Sequence, residues 1–198
     1  MNSPPLVLSP SDRTTLRRRA GRSTELDVFD DVLAECLVCQ IAVLLDGAPL
    51  LLPTTFVRLG DEVFVHGAVG NRALKLAVDA PVCFSATIVD GLVFSKAASH
   101  HSMNYRSVVA FGRGRDVVDF DEKARVLNAL IEKMRPGRST EARPSTTLEL
   151  QTVRVVAIGL QEASCKQRQG PPMDDDADKD FPTWTGVAPV SLVTGPIG

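Results

Sequence analysis

Two Asp-Gly dipeptides, Asp46-Gly47 and Asp90-Gly91, each stand between runs of apolar and β-branched residues. Asp-Gly accepts the positive φ of a two-residue hairpin, so this pattern commits the chain to antiparallel strand pairs. It predicts strands over 38–45 and 49–58, then 62–67 beyond a turn at Gly60-Asp61. Strands over 82–89 and 91–97 follow about the second dipeptide, then 105–118, a long strand over 148–163 and a short one near 184–193. Gly112 and Gly114 predict a bulge or bend inside 105–118. Helices interrupt the strands. The spacing of Leu26, Phe29, Leu33 and Cys36, opened by Thr24-x-x-Asp27, predicts one over 25–37. A short helix over 71–79 follows, and Asp119-x-x-Glu122 opens a third that runs to Met134 and stops at Arg135-Pro136-Gly137. Antiparallel strands with tight turns and inserted helices predict a mainly β chain folded as a small closed barrel with flanking helices.

The 198 residues suit a single domain over 23–198, preceded by an arm over 1–22 that carries Arg13, Arg17, Arg18, Arg19 and Arg22. The plain reading of the arm is a solvated extension, against phosphate or partner contact. A net charge of −2 excludes a globally basic nucleic-acid binder. No apolar run approaches the ~20 residues of a membrane span. The start of the chain lacks the pattern of a signal peptide, and its four cysteines do not form a secreted disulfide framework, so a cytoplasmic protein is expected.

Three stretches carry chemistry. In the first, a strand ends at His66 and Gly67, and a turn leads to a helix opened by Asn71. Free N–H groups at a helix start attract anions, and Arg72 and Lys75 add charge on one face, which suits a phosphate. The competing reading is an ordinary strand–turn–helix with surface cations. In the second, His100, His101, Ser102, Asn104, Tyr105, Arg106 and Ser107 lead into an apolar strand and place the only Tyr of the chain beside an Arg. In the third, residues 164–170, the acidic run over 174–180 and the only Trp, Trp184, suit a lid or an interface, with a solvated loop as the plain reading of the acidic run. Cys36-x-x-Cys39 with His66, His100 and His101 contains the elements of a zinc site. A single C-x-x-C with Cys36 on an apolar helix face reads instead as core packing, and no metal is expected.

Taken in order, CQIAVLLDGAPLLLPTTF (39–56), VFVHGAVGNRALK (63–75), DGLVFSK (90–96), HHSMNYRSVVAFG (100–112) and WTGVAPV (184–190) resemble the pyridoxamine 5'-phosphate oxidase-like flavin-binding proteins. The likeness is to the branch that includes the nitroimidazole-resistance proteins, over about residues 13–193. It implies a six-stranded Greek-key split barrel that forms a homodimer with FMN in two equivalent clefts between subunits. Carried over, Pro53, Thr54 and Thr55 lie along the flavin, and His66 and Gly67 near its ring or ribityl chain. Asn71, Arg72 and Lys75 take the phosphate, Tyr105, Arg106 and Ser107 come from a neighbouring strand or the partner subunit, and Trp184 closes the cleft. The implied activity is electron transfer between NAD(P)H and a small acceptor, nitroreductase-like or pyridoxamine-phosphate-oxidase-like, with His66 as proton donor. The C-terminal Trp/Arg segment of vitamin B6-phosphate oxidases has no counterpart here, which argues against vitamin B6 oxidation. The alternatives are a non-catalytic flavin module or redox sensor, and a split barrel holding haem or a deazaflavin, with His66 or His101 as axial ligand.

Overall fold

The first hairpin forms as its dipeptide dictates. Strands β1 (Val38–Leu45) and β2 (Ala48–Leu59) pair antiparallel across Asp46 and Gly47, whose φ angles are 52° and 81°. β3 (Glu62–Ala68) turns back on β2 at Gly60, also at positive φ. The computed structural model describes residues 6–9, 11–15 and 26–196. The expected cap at Thr24 and Arg17, Arg18, Arg19 and Arg22 of the arm lie outside the described residues.

Helix α1 (Leu26–Glu35) buries Phe29, Val32 and Leu33, and α2 (Arg72–Ala77) carries the chain from β3 to β4 (Pro81–Phe94). β5 (Ser102–Asp116) runs back along β4 and leads into α3 (Phe120–Met134), capped by the Asp119 carboxylate. Next come α4 (Arg138–Glu141), α5 (Thr147–Thr152), β6 (Val153–Gly159), β7 (Glu162–Arg168) and β8 (Gly186–Pro189). Strands β4-β1-β2-β3 lie side by side in Greek-key order, and β6 and β5 close them into a six-strand ring. Beyond the ring, β7 pairs with β5 and β8 with β4.

Two expected elements differ. Asp90-Gly91 is no hairpin: β4 runs through it as one strand, and Val89 and Gly91 pair with the consecutive residues Tyr105 and Asn104 of β5. Asp90 is therefore the extra residue of a bulge. The long strand expected over 148–163 is α5 followed by two strands that turn at Leu160 and Gln161. A capping box between Thr146 and Glu149 satisfies the first backbone N–H groups and tips this stretch into a helical turn. Gly112 and Gly114 mark the bend anticipated for them. β5 stays with β4 through Arg113 and pairs with β6 from Gly114 to Asp116. A Cβ at Gly114 would stand 2.8 Å from the Ala77 carbonyl carbon, so only glycine lets the end of α2 reach the strand.

Alternation divides the residues into an inner and an outer set. Ile41, Phe56, Val65, Phe84, Val108 and Ile158 fill the ring, with the Phe56 and Phe84 rings edge-on at 5.1 Å. A second core forms outside it, where Val57, Phe64 and Val155 of the sheet meet Val126 and Leu130 of α3. Lys133 links the layers: its ammonium donates to the Leu33 carbonyl at 2.8 Å and lies 3.5 Å above the centre of the Phe56 ring. Part of the arm is docked rather than solvated. Leu6 and Leu8 pack on the barrel core, the Ser9 N–H donates to the Gln161 carbonyl, and Arg13 pairs with Glu162 and lies over the Phe111 ring. Among the described residues, no helix is long and apolar enough to cross a membrane.

Two outcomes follow from this packing. Gly114→Ala will force α2 off β5 and cost about 1–3 kcal/mol, read as a lowered urea midpoint. Burial lowers Lys133 from 10.5 to about 8. Between those pH values the unfolded chain holds a proton that the native chain has lost, so this group makes stability rise with pH. Burial also pushes Cys39 up from 9.0 to about 12, which makes stability fall over that higher window. Lys133→Met leaves the Cys39 contribution in place, so urea midpoints will show wild type gaining on the variant between pH 8 and pH 10.5.

Candidate functional site

Residues opposed across a ladder share a sheet face, so the pairing register states where each expected site residue points. Thr54 of β2 lies opposite Cys39, which lies opposite the buried Ala86, so Thr54 belongs to the inner set. Pro53 lies opposite Gln40, Ser85, Val109 and Ser164 in turn, a row on the outer face of five strands. Thr55 lies opposite Val38 on the same face, as do Ser107 opposite Thr87 and Tyr105 opposite Val89. His66 shares its face with Val155 and Phe64, and so stands at the edge of the outer core. Pro53, Thr55, His66, Tyr105 and Ser107 thus all lie on the outer face. Thr55 and Ser107 are nonetheless three strands apart, about 14 Å at the usual interstrand spacing. Among the described residues, the ladder supplies a floor that joins them.

His66 is half-buried, and its Nδ1 is shut off from solvent without a hydrogen-bond partner among the described residues. Burial lowers its pKa below the ordinary 6.5, which keeps the imidazole neutral at physiological pH. The adjacent Gly67 serves packing, because a Cβ there would lie 3.0 Å from Leu74 and 3.4 Å from the Asn71 amide. The Asn71 side chain caps α2, its Oδ1 accepting from the Leu74 N–H at 3.1 Å. Arg72 and Lys75 are exposed on that helix, and Arg72 reaches only a loose 3.9 Å pair with Asp46.

Arg106 points the other way, toward α1. Its guanidinium donates to both oxygens of Asp90 at 2.8–3.2 Å and to both oxygens of Glu35 at 2.8 and 3.1 Å. Those two carboxylates raise its pKa, and they fill the fork expected to hold a cofactor. Arg106 therefore clamps the β4 bulge and the end of α1 to β5. It also lines an open cavity of about 400 Å3 with Asp31, Asp90, Asn104, Gln167 and Gln169. The Asp90 bulge had one legible signal: the fourteen residues expected over 105–118 ask for a partner longer than the eight expected over 82–89.

Trp184 is 64% exposed and rests on Phe94, ring centres 5.2 Å apart, and Phe94 meets His101 edge-on at 5.8 Å. The His101 Nδ1 lies 3.1 Å from the Ala97 carbonyl. The two cysteines of C-x-x-C pack in the core. Cys36 donates to the Val38 carbonyl at 3.1 Å, and burial, then the neighbouring Cys36, pushes the Cys39 thiol up to about 12.

The family model for pyridoxamine 5'-phosphate oxidase matches residues 25–167. The chain belongs to that family. Among solved structures, it is similar to the flavocytochrome Anf3 from Azotobacter vinelandii, with 32% identity over 96% of this chain and 90% of that one and a TM-score of 0.89. It is also similar to the FAD and haem binding protein from Mycobacterium smegmatis, with 32% identity, 90% and 88% coverage and a TM-score of 0.84. A putative 5-nitroimidazole antibiotic resistance protein from Bacteroides thetaiotaomicron shares the fold at 17% identity, with a TM-score of 0.61 over 74% of this chain and 88% of that one. No curated protein sequence matches. Membership accounts for the six-strand ring with its flanking helices, which is the split barrel of the family.

Proposed function

We propose that this chain is a flavin-binding split-barrel protein that also takes a haem and works as an electron-transfer oxidoreductase. The observation that carries the reading is His66: a neutral imidazole on the outer face, one of its nitrogens buried and without a partner. A buried polar atom left without a partner is costly, and unpaired groups of this kind are found where a protein binds a further group. Identity of 32% over nearly the whole chain to a flavocytochrome and to an FAD and haem binding protein supports the pairing of cofactors. The same likeness favours FAD over the FMN expected from sequence. The likeness to a resistance protein at 17% identity supports the fold alone, so NAD(P)H-linked nitroreduction has less behind it.

A flavin supplies two-electron chemistry and a haem one-electron chemistry when bound; the protein binds, orients and tunes them. Here the outer row of Pro53, Gln40, Ser85 and Val109 is an uncharged floor on which a planar group can lie. Arg72 and Lys75, both exposed on α2, offer charge to a cofactor phosphate. Burial holds His66 in the neutral form that can ligate iron or accept a proton. Four free cysteines, three of them buried, suit a reducing cytoplasm.

An exposed apolar strip on the same face argues for a homodimer. The outer face of β1 and β2 exposes Val38, Leu44 and Leu51 beside Pro49 and Pro53, an apolar strip suited to a second copy. Leu51→Arg will leave the exposed strand folded, dissociate the dimer in sedimentation velocity and release the flavin. A variant that stays dimeric and coloured overturns this placement.

The visible spectrum of the full chain supplied with haem, followed by chromatography of the acid-released flavin, tests the cofactors directly. In His66→Ala the Soret band will be lost while the flavin stays, and His101→Ala will keep both. Loss of flavin with the haem retained would return His66 to the flavin site. Reduction of both chromophores by NADH or NADPH without air supports an oxidoreductase; no reduction by either supports a binding module.

A further inference from the structure

The acidic run over 174–180 has no part in the cofactor reading, yet the fold brings it against a histidine more than seventy residues earlier in the chain. His100 ends the 3-10 turn Ala98–His100 between β4 and β5, and Asp175 precedes and Asp178 ends the 3-10 turn Asp176–Asp178 between β7 and β8. One potential ligand atom from each of His100, Asp175 and Asp178 lies within 4.8 Å of the other two. We propose that these three side chains form a site for a divalent first-row cation such as Zn2+, which fastens the acidic loop to the β4–β5 connection.

The His100 ring lacks any other employment among the described residues. Its Nδ1 is buried without a partner, and its Nε2 stands 3.8 Å from the nearest Asp175 oxygen. That distance is too long for a hydrogen bond. It is close to the separation of two ligands on one ion, because donors about 2.1 Å from a tetrahedral zinc lie about 3.4 Å apart. The other aspartates nearby are already used. Asp174 accepts from the Lys96 backbone N–H at 2.7 Å, and Asp176 pairs with Lys179 at 2.9 Å. The Lys96 ammonium also donates to the Lys179 carbonyl, so the loop is held on both sides of the cluster. What remains facing the ring is Asp175 and Asp178, on a loop already placed by other contacts.

The donor set selects the ion class. One imidazole with two carboxylates suits zinc or a neighbouring first-row cation, whereas calcium takes six to eight oxygens. Three protein ligands leave a fourth position for water, and the surface placement makes the site a fastening between loops. Its consequence falls on Trp184, six residues beyond Asp178 and resting on Phe94.

Calorimetric titration of the chelator-treated, untagged full chain with ZnCl2 tests the site, with the emission of Trp184, the only Trp of the chain, as a second readout. One Zn2+ per chain is expected, with a saturable change in emission. His100→Ala will abolish both, as will Asp175→Asn combined with Asp178→Asn, while His101→Ala will leave both intact. Absence of saturable binding by the wild type overturns the proposal, as does binding undiminished in His100→Ala. The flavin and haem spectra report separately, so failure here and failure of the cofactor reading are distinguishable.

Discussion

Everything in this fold depends on one strand having two sets of partners. β5 holds β4 along most of its length and then reaches β6, and that second ladder turns an open sheet into a ring. Without it the inner faces of β1 and β4 would have nothing opposite them, and Ile41, Phe84 and Val108 would face water. The transfer happens at Gly112 and Gly114, where the strand bends and the end of α2 comes closer than any side chain would permit. Closure also separates two environments. The inside is dry and filled by aromatic and branched residues, while the outside must be covered piecemeal, by α3 over β2, β3 and β6 and by the docked arm beside β7.

Much of the architecture was legible because local chemistry and global pairing agree over β1, β2 and β3. There a two-residue turn and a second glycine turn determine the register. The α3 helix was legible for the same reason, since Asp119 caps it and its apolar residues recur on one face. The failures come where one local signal has two physical outcomes. Asp-Gly serves a hairpin or a bulge, and only the length of β5, a distant element, decides between them at residue 90. A branched run such as 148–163 reads as strand until Thr146 and Glu149 are seen to cap its first turn.

The candidate site was legible in its residue types more than in its assembly. His66 was singled out from its motif, and its burial and its lone nitrogen are properties of the fold. Asn71 and Gly67 proved to be occupied in building α2, because a cap and a close approach use the same residue types as an anion site. Arg106 is engaged in a different way. Arginine beside tyrosine at the head of a strand suggests a ligand, but two carboxylates brought in from α1 and β4 claim the guanidinium first. No spacing within β5 could announce partners that arrive from 16 and 71 residues away.

The bulge at Asp90 has a consequence for how the two ends of β4 relate. Before it the even-numbered residues Val82, Phe84 and Ala86 face inward, and after it the odd-numbered Gly91 and Val93 do. One supernumerary residue thus inverts the phase of the strand. The far end of β4, which carries β8, therefore turns the opposite set of side chains to the barrel. Asp90 is both the residue that reverses the phase and, through Arg106 and Glu35, a tie between β4, β5 and α1. A defect in the ladder decides which side chains the second half of the strand offers to everything built beyond it.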